Sequence, residues 1–159
     1  MMHFRIEHAQ PNDAPTIAQM VSELLHEIMA MTGTSVFGFH QEETETRARS
    51  WMTGGKYSVL LARDEVQPEP LGFLALCETV ALYAEGAIGT IPEFYVRQPY
   101  RSQGIGTALI NETKRIGVLK GWRRIEVTTP PLPQFDRTLA FYQQQGFSIS
   151  GGRKLKVNL

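Results

Sequence analysis

A chain of 159 residues, 42% of them hydrophobic, can close one substantial core. Its 16 Lys and Arg balance 16 Asp and Glu, so no global field recruits nucleic acid or an anionic membrane, although a local basic patch for a phosphorylated ligand is allowed. One cysteine, Cys77, excludes an internal disulfide; no His/Cys cluster has zinc-like spacing, so no metal is expected, and no run approaches the ~18 apolar residues of a membrane span. In chain order, His3 to His8 alternates Phe4 and Ile6 with polar neighbours and predicts a first strand. The same N-terminal stretch lacks the continuous apolar segment of a signal peptide, which makes the cytoplasm the expected location. Asp13 followed by Pro15 predicts a helix start, with the carboxylate accepting free backbone N–H groups. Ile17, Met20, Val21, Leu24, Leu25 and Ile28 then recur at three- and four-residue steps as one helical face, with Gly33 as the stop.

A polar helix is predicted over Gln41 to Met52, and a strand over Tyr57 to Ala62. The turn Asp64 to Pro70 leads to a strand at Leu71 to Thr79. Ala87 to Arg97 reads as a further strand interrupted by Pro92, which either opens the ladder or simply ends a short strand. Ile105 to Lys120 predicts a helix stopped by Gly121, with Leu109, Ile110, Thr113, Ile116 and Gly117 on one face. Arg124 to Thr128 is a short strand, and Asp136 to Gln145 a last helix ending at Gly146. Phe147 to Ile149 with Leu155 to Val157 predict a terminal hairpin. No repeat or linker divides the order, so a single domain over 1–159 is expected.

The stretch that carries chemistry is Arg101-Ser102-Gln103-Gly104-Ile105-Gly106, between a strand and a helix. Two glycines let the backbone approach a bulky anion, and the first N–H groups of the helix are unpaired and favour negative charge. Arg101 adds forked donors suited to phosphate oxygens. It is not a Walker loop, because no Gly-Lys-Ser/Thr follows, and it is a poor dinucleotide fingerprint, because Leu109 stands where a third glycine is needed. Alone, such a turn is either a diphosphate cradle or a tight connection.

Its surroundings favour the cradle. Glu93-Phe94-Tyr95-Val96-Arg97-Gln98-Pro99-Tyr100 precedes the loop, and Phe141-Tyr142-Gln143-Gln144-Gln145-Gly146-Phe147 lies downstream. With Arg-x-x-Gly-x-Gly between them, these segments resemble the GNAT superfamily of acyl-CoA N-acyltransferases, and the element order agrees over nearly the whole chain. The resemblance implies an α/β fold with a central mixed sheet of six to seven strands, about four helices, and a splay between the fourth and fifth strands. It also implies acetyl-CoA as cosubstrate, its pantetheine arm pairing with the main chain of Phe94, Tyr95, Val96 and Arg97. The diphosphate would then rest on the N–H groups of Gln103, Gly104, Ile105, Gly106 and Thr107, with Ser102 in the turn and Arg101 beside it. A homodimer is common among similar proteins.

The implied reaction moves an acetyl group to a primary amine, on a small molecule or a protein, within a ternary complex. An alkyl amine has a pKa near ~10.4, so reaching its neutral form at pH 7 costs roughly 4 to 5 kcal/mol, and a base or water path is needed. Glu93 is the chosen base, acting through water or simply binding a cationic acceptor, with Glu78 on the neighbouring strand as the alternative. Strict alternation puts Glu93 on one face with Tyr95 and Ile91. The departing sulfur needs a proton, and Tyr142 stands at the family's position for that acid, its other reading being an aromatic packed on the sheet.

Where many relatives carry Asn in the first turn of the last helix, this chain has Phe135. The loop Thr129-Pro130-Pro131-Leu132-Pro133, together with Phe37, Phe39 and His40, is expected to shape the acceptor pocket. Arg97 and Arg137 are further candidates for a cofactor phosphate. Two other classes compete with the enzyme: a non-catalytic acyl-CoA-binding module, and an interaction domain whose glycine turn holds no phosphate.

Overall fold

The computed structural model of this chain describes residues 2–35 and 38–159 and separates into two compact units, Met1–Thr128 and Thr129–Leu159. The first unit holds β1 (Phe4–His8), α1 (Ala14–Thr32), α2 (Gln41–Thr53), β2 (Ser58–Asp64), β3 (Gly72–Ala81), β4 (Gly86–Ile91), β5 (Phe94–Val96), α3 (Ile105–Lys120) and β6 (Ile125–Val127). The second holds α4 (Asp136–Gln144). The strands form one six-stranded sheet in the order β1-β2-β3-β4-β6, with β5 also paired to β3. All pairs are antiparallel except β4–β6, where Gly89–Ile91 run parallel to Ile125–Val127. This is the mixed α/β architecture that the resemblance implies, with six strands and four helices among the described residues.

Strand register decides which side chains each helix covers. Leu61 faces Phe73, and Phe73 faces Tyr95, so these three project from one side of the sheet. There they pack with Val59, Ala75 and Tyr57 against Ile17 and Met20 of α1. The alternate residues, Leu60, Leu74 and Leu76, are buried on the other side. α3 packs against β1, β2, β3 and β5, burying Ile105, Leu109, Ile110 and Ile116. Each such side chain contributes about 1.5–3 kcal/mol when fully removed from water.

Helix ends follow the predicted stops: Gly33 and Gly121 close α1 and α3 in the left-handed region, with φ of 71° and 73°. Asp13 precedes α1 as predicted but does not cap it through its side chain. Its carboxylate instead accepts from the Gln10 N–H at 2.7 Å, which the short 3-10 turn before α1 folds onto it, and from Arg63 Nη2 of β2 at 3.0 Å.

In the second unit α4 starts at Asp136, after Phe135 N–H bonds to Pro131 O at 3.1 Å. The expected terminal hairpin does not form. Residues 147–159 carry no strand, and Leu155 and Val157 are 91% and 81% exposed. Their alternation suits a strand, but alternation stabilises a strand only where a neighbour takes its backbone bonds and apolar face.

Candidate functional site

β4 and β5 are one strand broken at Pro92 and Glu93. Cys77 pairs with Thr90 and Leu74 with Phe94, so Ala75 and Leu76 of β3 face three residues, Ile91, Pro92 and Glu93. Three against two is a β-bulge. Pro92 is exposed in it, at a place where its missing N–H breaks no ladder bond. The ladder resumes with Ala75 N–H donating to Glu93 O at 2.9 Å. The extra residue resets the alternation. Glu93 stays on the face of Tyr95, but Ile91 is turned to the opposite one, which corrects the expectation that all three share a face.

The bulge also sorts the main-chain groups of β5. Bonds from Ala75 N–H to Glu93 O and from Arg97 N–H to Leu71 O, both 2.9 Å, fix the pattern. Residues 93, 95 and 97 therefore turn their amides and carbonyls toward β3, and residues 94 and 96 toward the far edge. β4 has β6 on that edge, whereas β5 has no second strand partner among the described residues. The sheet is splayed there. The expectation that Phe94, Tyr95, Val96 and Arg97 all offer main-chain groups to an extended ligand narrows to Phe94 and Val96. The Val96 carbonyl already accepts from Arg101 Nε at 2.7 Å.

On the α1 side of the sheet, Glu93 accepts a hydrogen bond from the Tyr57 hydroxyl at 2.8 Å. Burial holds the Glu93 carboxyl above its ordinary pKa, while the Tyr57 bond pulls it the other way. Tyr57 is buried, its ring 5.8 Å from that of Trp51, and burial with the Glu93 charge pushes its own pKa up. Cys77, half-buried nearby, is raised by burial and by Glu93. Sequence reasoning missed Tyr57, although a tyrosine opening an apolar strand needs a partner for its hydroxyl. Glu78, the alternative base, does not reach this group. It pairs with Gly89 on the other face, where Trp122 Nε1 donates to it at 2.7 Å. The Trp122 ring lies 2.3 Å from where a Gly89 Cβ would be, so only glycine fits beneath it.

The glycine turn is open on its outer side. Ser102 has φ of 63° and Gly104 of 88°, and a Cβ built on Gly104 meets nothing within 4 Å. The first backbone bond of α3 runs from Ala108 N–H to Gly104 O at 3.0 Å, so the N–H groups of Ile105 and Gly106 have no carbonyl within the helix. A left-handed residue followed by helical ones turns successive N–H groups into one concavity, the geometry that holds anions. The chain's own atoms therefore fit a diphosphate. Gln103 sits in this turn with its side chain bonded to Pro99 O at 3.4 Å, and Thr107 lies in the first turn of α3.

The two nearby arginines are committed elsewhere. Arg101 grips both carboxylate oxygens of Glu27, at 2.7 and 2.9 Å, and lies over the Tyr95 ring at 5.6 Å. Arg97 bonds Glu23 at 3.0 Å through two nitrogens and Pro70 O through a third. In this structure the Arg101 fork, expected beside a phosphate, holds Glu27 of α1, which lies within its reach.

The sequence family described as Acetyltransferase (GNAT) domain matches residues 55–149. That stretch contains the bulge, the glycine turn and α4. The chain belongs to the GNAT acetyltransferase family. An uncharacterized N-acetyltransferase of Methanocaldococcus jannaschii is 31% identical over 84 residues, 52% of this chain and 36% of that relative, so the chain matches about a third of the relative's length. An aminoglycoside acetyltransferase from an uncultured soil metagenomic sample superposes with a TM-score of 0.76 at 21% identity, covering 98% of this chain and 96% of the other. A predicted acetyltransferase with acetyl-CoA from Clostridium acetobutylicum gives 0.77 at 14%, covering 98% and 96%. The ribosomal-protein-alanine N-acetyltransferase of Brucella melitensis biovar Abortus 2308 gives 0.72 at 18%, covering 99% and 100%. At these identities the solved structures speak to the GNAT fold alone.

The remaining predicted residues of this GNAT chain lie partly in the second unit. Tyr142 is buried on α4, edge-on to Phe141 and Phe147 with ring centroids 5.7 and 5.5 Å away, and burial raises its pKa. Phe135 is buried at the start of α4, and Arg137 is exposed on it. In the first unit Phe39 is half-buried and His40 precedes α2, accepting from the Thr44 hydroxyl at 2.8 Å. Phe37 lies outside the described residues. Among the described residues, no group of three or more His, Cys, Asp or Glu is placed to hold a metal ion, and no helix is long and apolar enough to cross a membrane.

Proposed function

We propose that this GNAT chain transfers an acetyl group from acetyl-CoA to a primary amine, with Glu93 as base and Tyr142 as acid. The observation that carries the reading is the juxtaposition along one strand of a buried carboxylate, a strand edge with no second strand partner among the described residues and an anion-binding turn. Bound acetyl-CoA would supply an activated acetyl thioester. Its diphosphate suits the amides of Gly104, Ile105 and Gly106, and its pantetheine arm suits the outward main chain of Phe94 and Val96.

Glu93 supports the base role because burial lifts its proton affinity toward that needed at neutral pH. An ordinary carboxylate is too weak a base for an alkylammonium group, whose deprotonation at pH 7 costs roughly 4 to 5 kcal/mol. Raising the pKa of the acceptor of the proton shrinks that gap. Tyr142 supports the acid role through its phenol, which carries its proton at neutral pH; burial raises its pKa, so transfer relies on the charge that builds on the departing sulfur.

The test is release of free thiol from acetyl-CoA in the presence of a broad panel of polyamines, amino acids, aminoglycosides and peptide amines. Amine-dependent thiol release is expected. Thermal stabilisation by coenzyme A without thiol release from any amine would favour the non-catalytic acyl-CoA-binding module instead.

A further inference from the structure

We propose that Tyr57 is a positioning residue for Glu93, its hydroxyl locking one carboxylate oxygen so that the other is presented as the proton acceptor. This rests on the reading of Glu93 as base and adds to it the partner that makes the carboxylate usable. The pairing of β5 with β3, resumed after the bulge, is what brings the two together. It leaves Glu93 on the Tyr95 face, where Tyr57 arrives at the end of the turn before β2. The hydroxyl bonds Glu93 Oε2 at 2.8 Å, leaving Oε1 for other work.

The surroundings make this a designed contact rather than a surface pairing. Tyr57 is 7% exposed and belongs to the cluster formed with Ile17, Met20, Phe73 and Tyr95, so its ring cannot swing away. Among the described residues its hydroxyl donates to Glu93, and a buried phenol needs such a partner. The titratable groups facing Glu93 within this unit are Tyr57 and, from β3, Cys77. The acids that α1 turns toward β5, Glu23 and Glu27, are taken by Arg97 and Arg101. α2 contributes the Trp51 ring against Tyr57. A neutral donor is thus the chief polar influence on a carboxylate that burial makes reluctant to ionise. Losing that donor must make ionisation harder still.

The experiment follows the Glu93 carboxyl by carbon NMR in glutamate-labelled protein, with its signal assigned by Glu93→Gln. Tyr57→Phe keeps the ring and removes the hydroxyl. Its Glu93 midpoint is expected to rise by about 1–2 pH units, the scale on which one hydrogen bond to a charged group acts. The acid limb of kcat/KM for any amine found by thiol release should move with it, whereas KM for acetyl-CoA should not. An unmoved midpoint in folded Tyr57→Phe overturns the proposal. If that variant does not fold, 3-fluorotyrosine incorporation preserves the shape and supplies a stronger donor; the midpoint should then fall, and an unchanged one overturns the proposal. The two readings fail separately. An acid limb that persists in Glu93→Gln removes Glu93 as base, while a limb lost in Glu93→Gln but unmoved in Tyr57→Phe removes Tyr57 alone.

Discussion

Arg101 and Glu27 form a two-pronged ion pair, 2.7 and 2.9 Å, that ties α1 to the turn opening α3. The third donor of the same guanidinium, Nε, holds Val96 O at 2.7 Å, so one side chain fixes the turn to both a helix and a strand end. With 38% of the Arg101 side chain exposed, solvent screens the pair to ~1 kcal/mol of stability at most. Its value lies in orientation. Lysine, a point charge without a fork, cannot make these contacts together. Arg101→Lys is therefore expected to unfold at nearly the wild-type temperature yet bind coenzyme A about tenfold more weakly, the equivalent of ~1.4 kcal/mol of lost pre-organisation. Calorimetric titration checks this; wild-type affinity would show that the turn needs charge and not the fork.

Gly104 and Gly72 separate binding from folding. At Gly104 a Cβ meets nothing, but φ of 88° makes any side chain strained by about 1 kcal/mol. Gly104→Glu should fold, and should lose coenzyme A binding because it sets a carboxylate in the anion concavity. In a melting experiment, coenzyme A at ~100 times its Kd adds about 2.7 kcal/mol to the wild type and nothing to the variant. An equal shift for both proteins would move the diphosphate site elsewhere.

At Gly72 the reverse holds. A Cβ there would lie 2.5 Å from Tyr95 O and 3.0 Å from Val96 Cα, both backbone atoms with little freedom to yield. Gly72→Ala must push β5 away from β3, and a cost of about 1–3 kcal/mol is expected from such overpacking. Denaturant unfolding measures it. Because β5 follows directly on Glu93 and ends at Val96, the variant should also lose turnover.

Much of this was legible in the residues, and the gaps have identifiable causes. The bounds of α3 were predicted because a glycine-rich turn, a continuous apolar stripe and a glycine stop all agree. The partnership of Tyr57 and Glu93 was not, since it spans 36 residues and depends on β2 and β5 both pairing with β3. Alternation counts cannot see a bulge, and so Ile91 was put on the wrong face. The acids of α1 were within reach of sequence reasoning. Glu23 and Glu27 stand four apart beside Met20 and Leu24, and Arg97 and Arg101 stand four apart as well, a spacing that invites two parallel ion pairs. The terminal hairpin failed for a different reason: a strand's partner is not written in its own alternation.

Glu93 gives a pH signature with a definite sign. Its folded pKa lies above the unfolded value, so the folded state binds the extra proton between the two. The stabilisation is complete below the ordinary carboxyl range and is lost as pH rises through the folded pKa. Glu93→Gln, which cannot ionise, should therefore melt higher than the wild type at pH 7 and near the same temperature at pH 4, while its turnover falls. Parallel melting curves at the two pH values check the sign. A variant less stable at pH 7 would mean that the carboxylate is favoured in the fold.

Tyr142→Phe isolates the acid. The side chain is buried between Phe141 and Phe147, so phenylalanine retains the edge-on ring contacts and the helix end. What disappears is a proton that burial holds on the oxygen more tightly than on a free phenol. A positioned general acid contributes about 100-fold or more, so kcat should fall on that scale, with coenzyme A affinity within about twofold of the wild type. The loss should be smaller for an acyl donor whose thiol has a lower pKa, since a better leaving group needs less help from a proton. Steady-state rates with acetyl-CoA and with an activated thioester measure both effects, and equal kcat in the two proteins would take Tyr142 out of the mechanism.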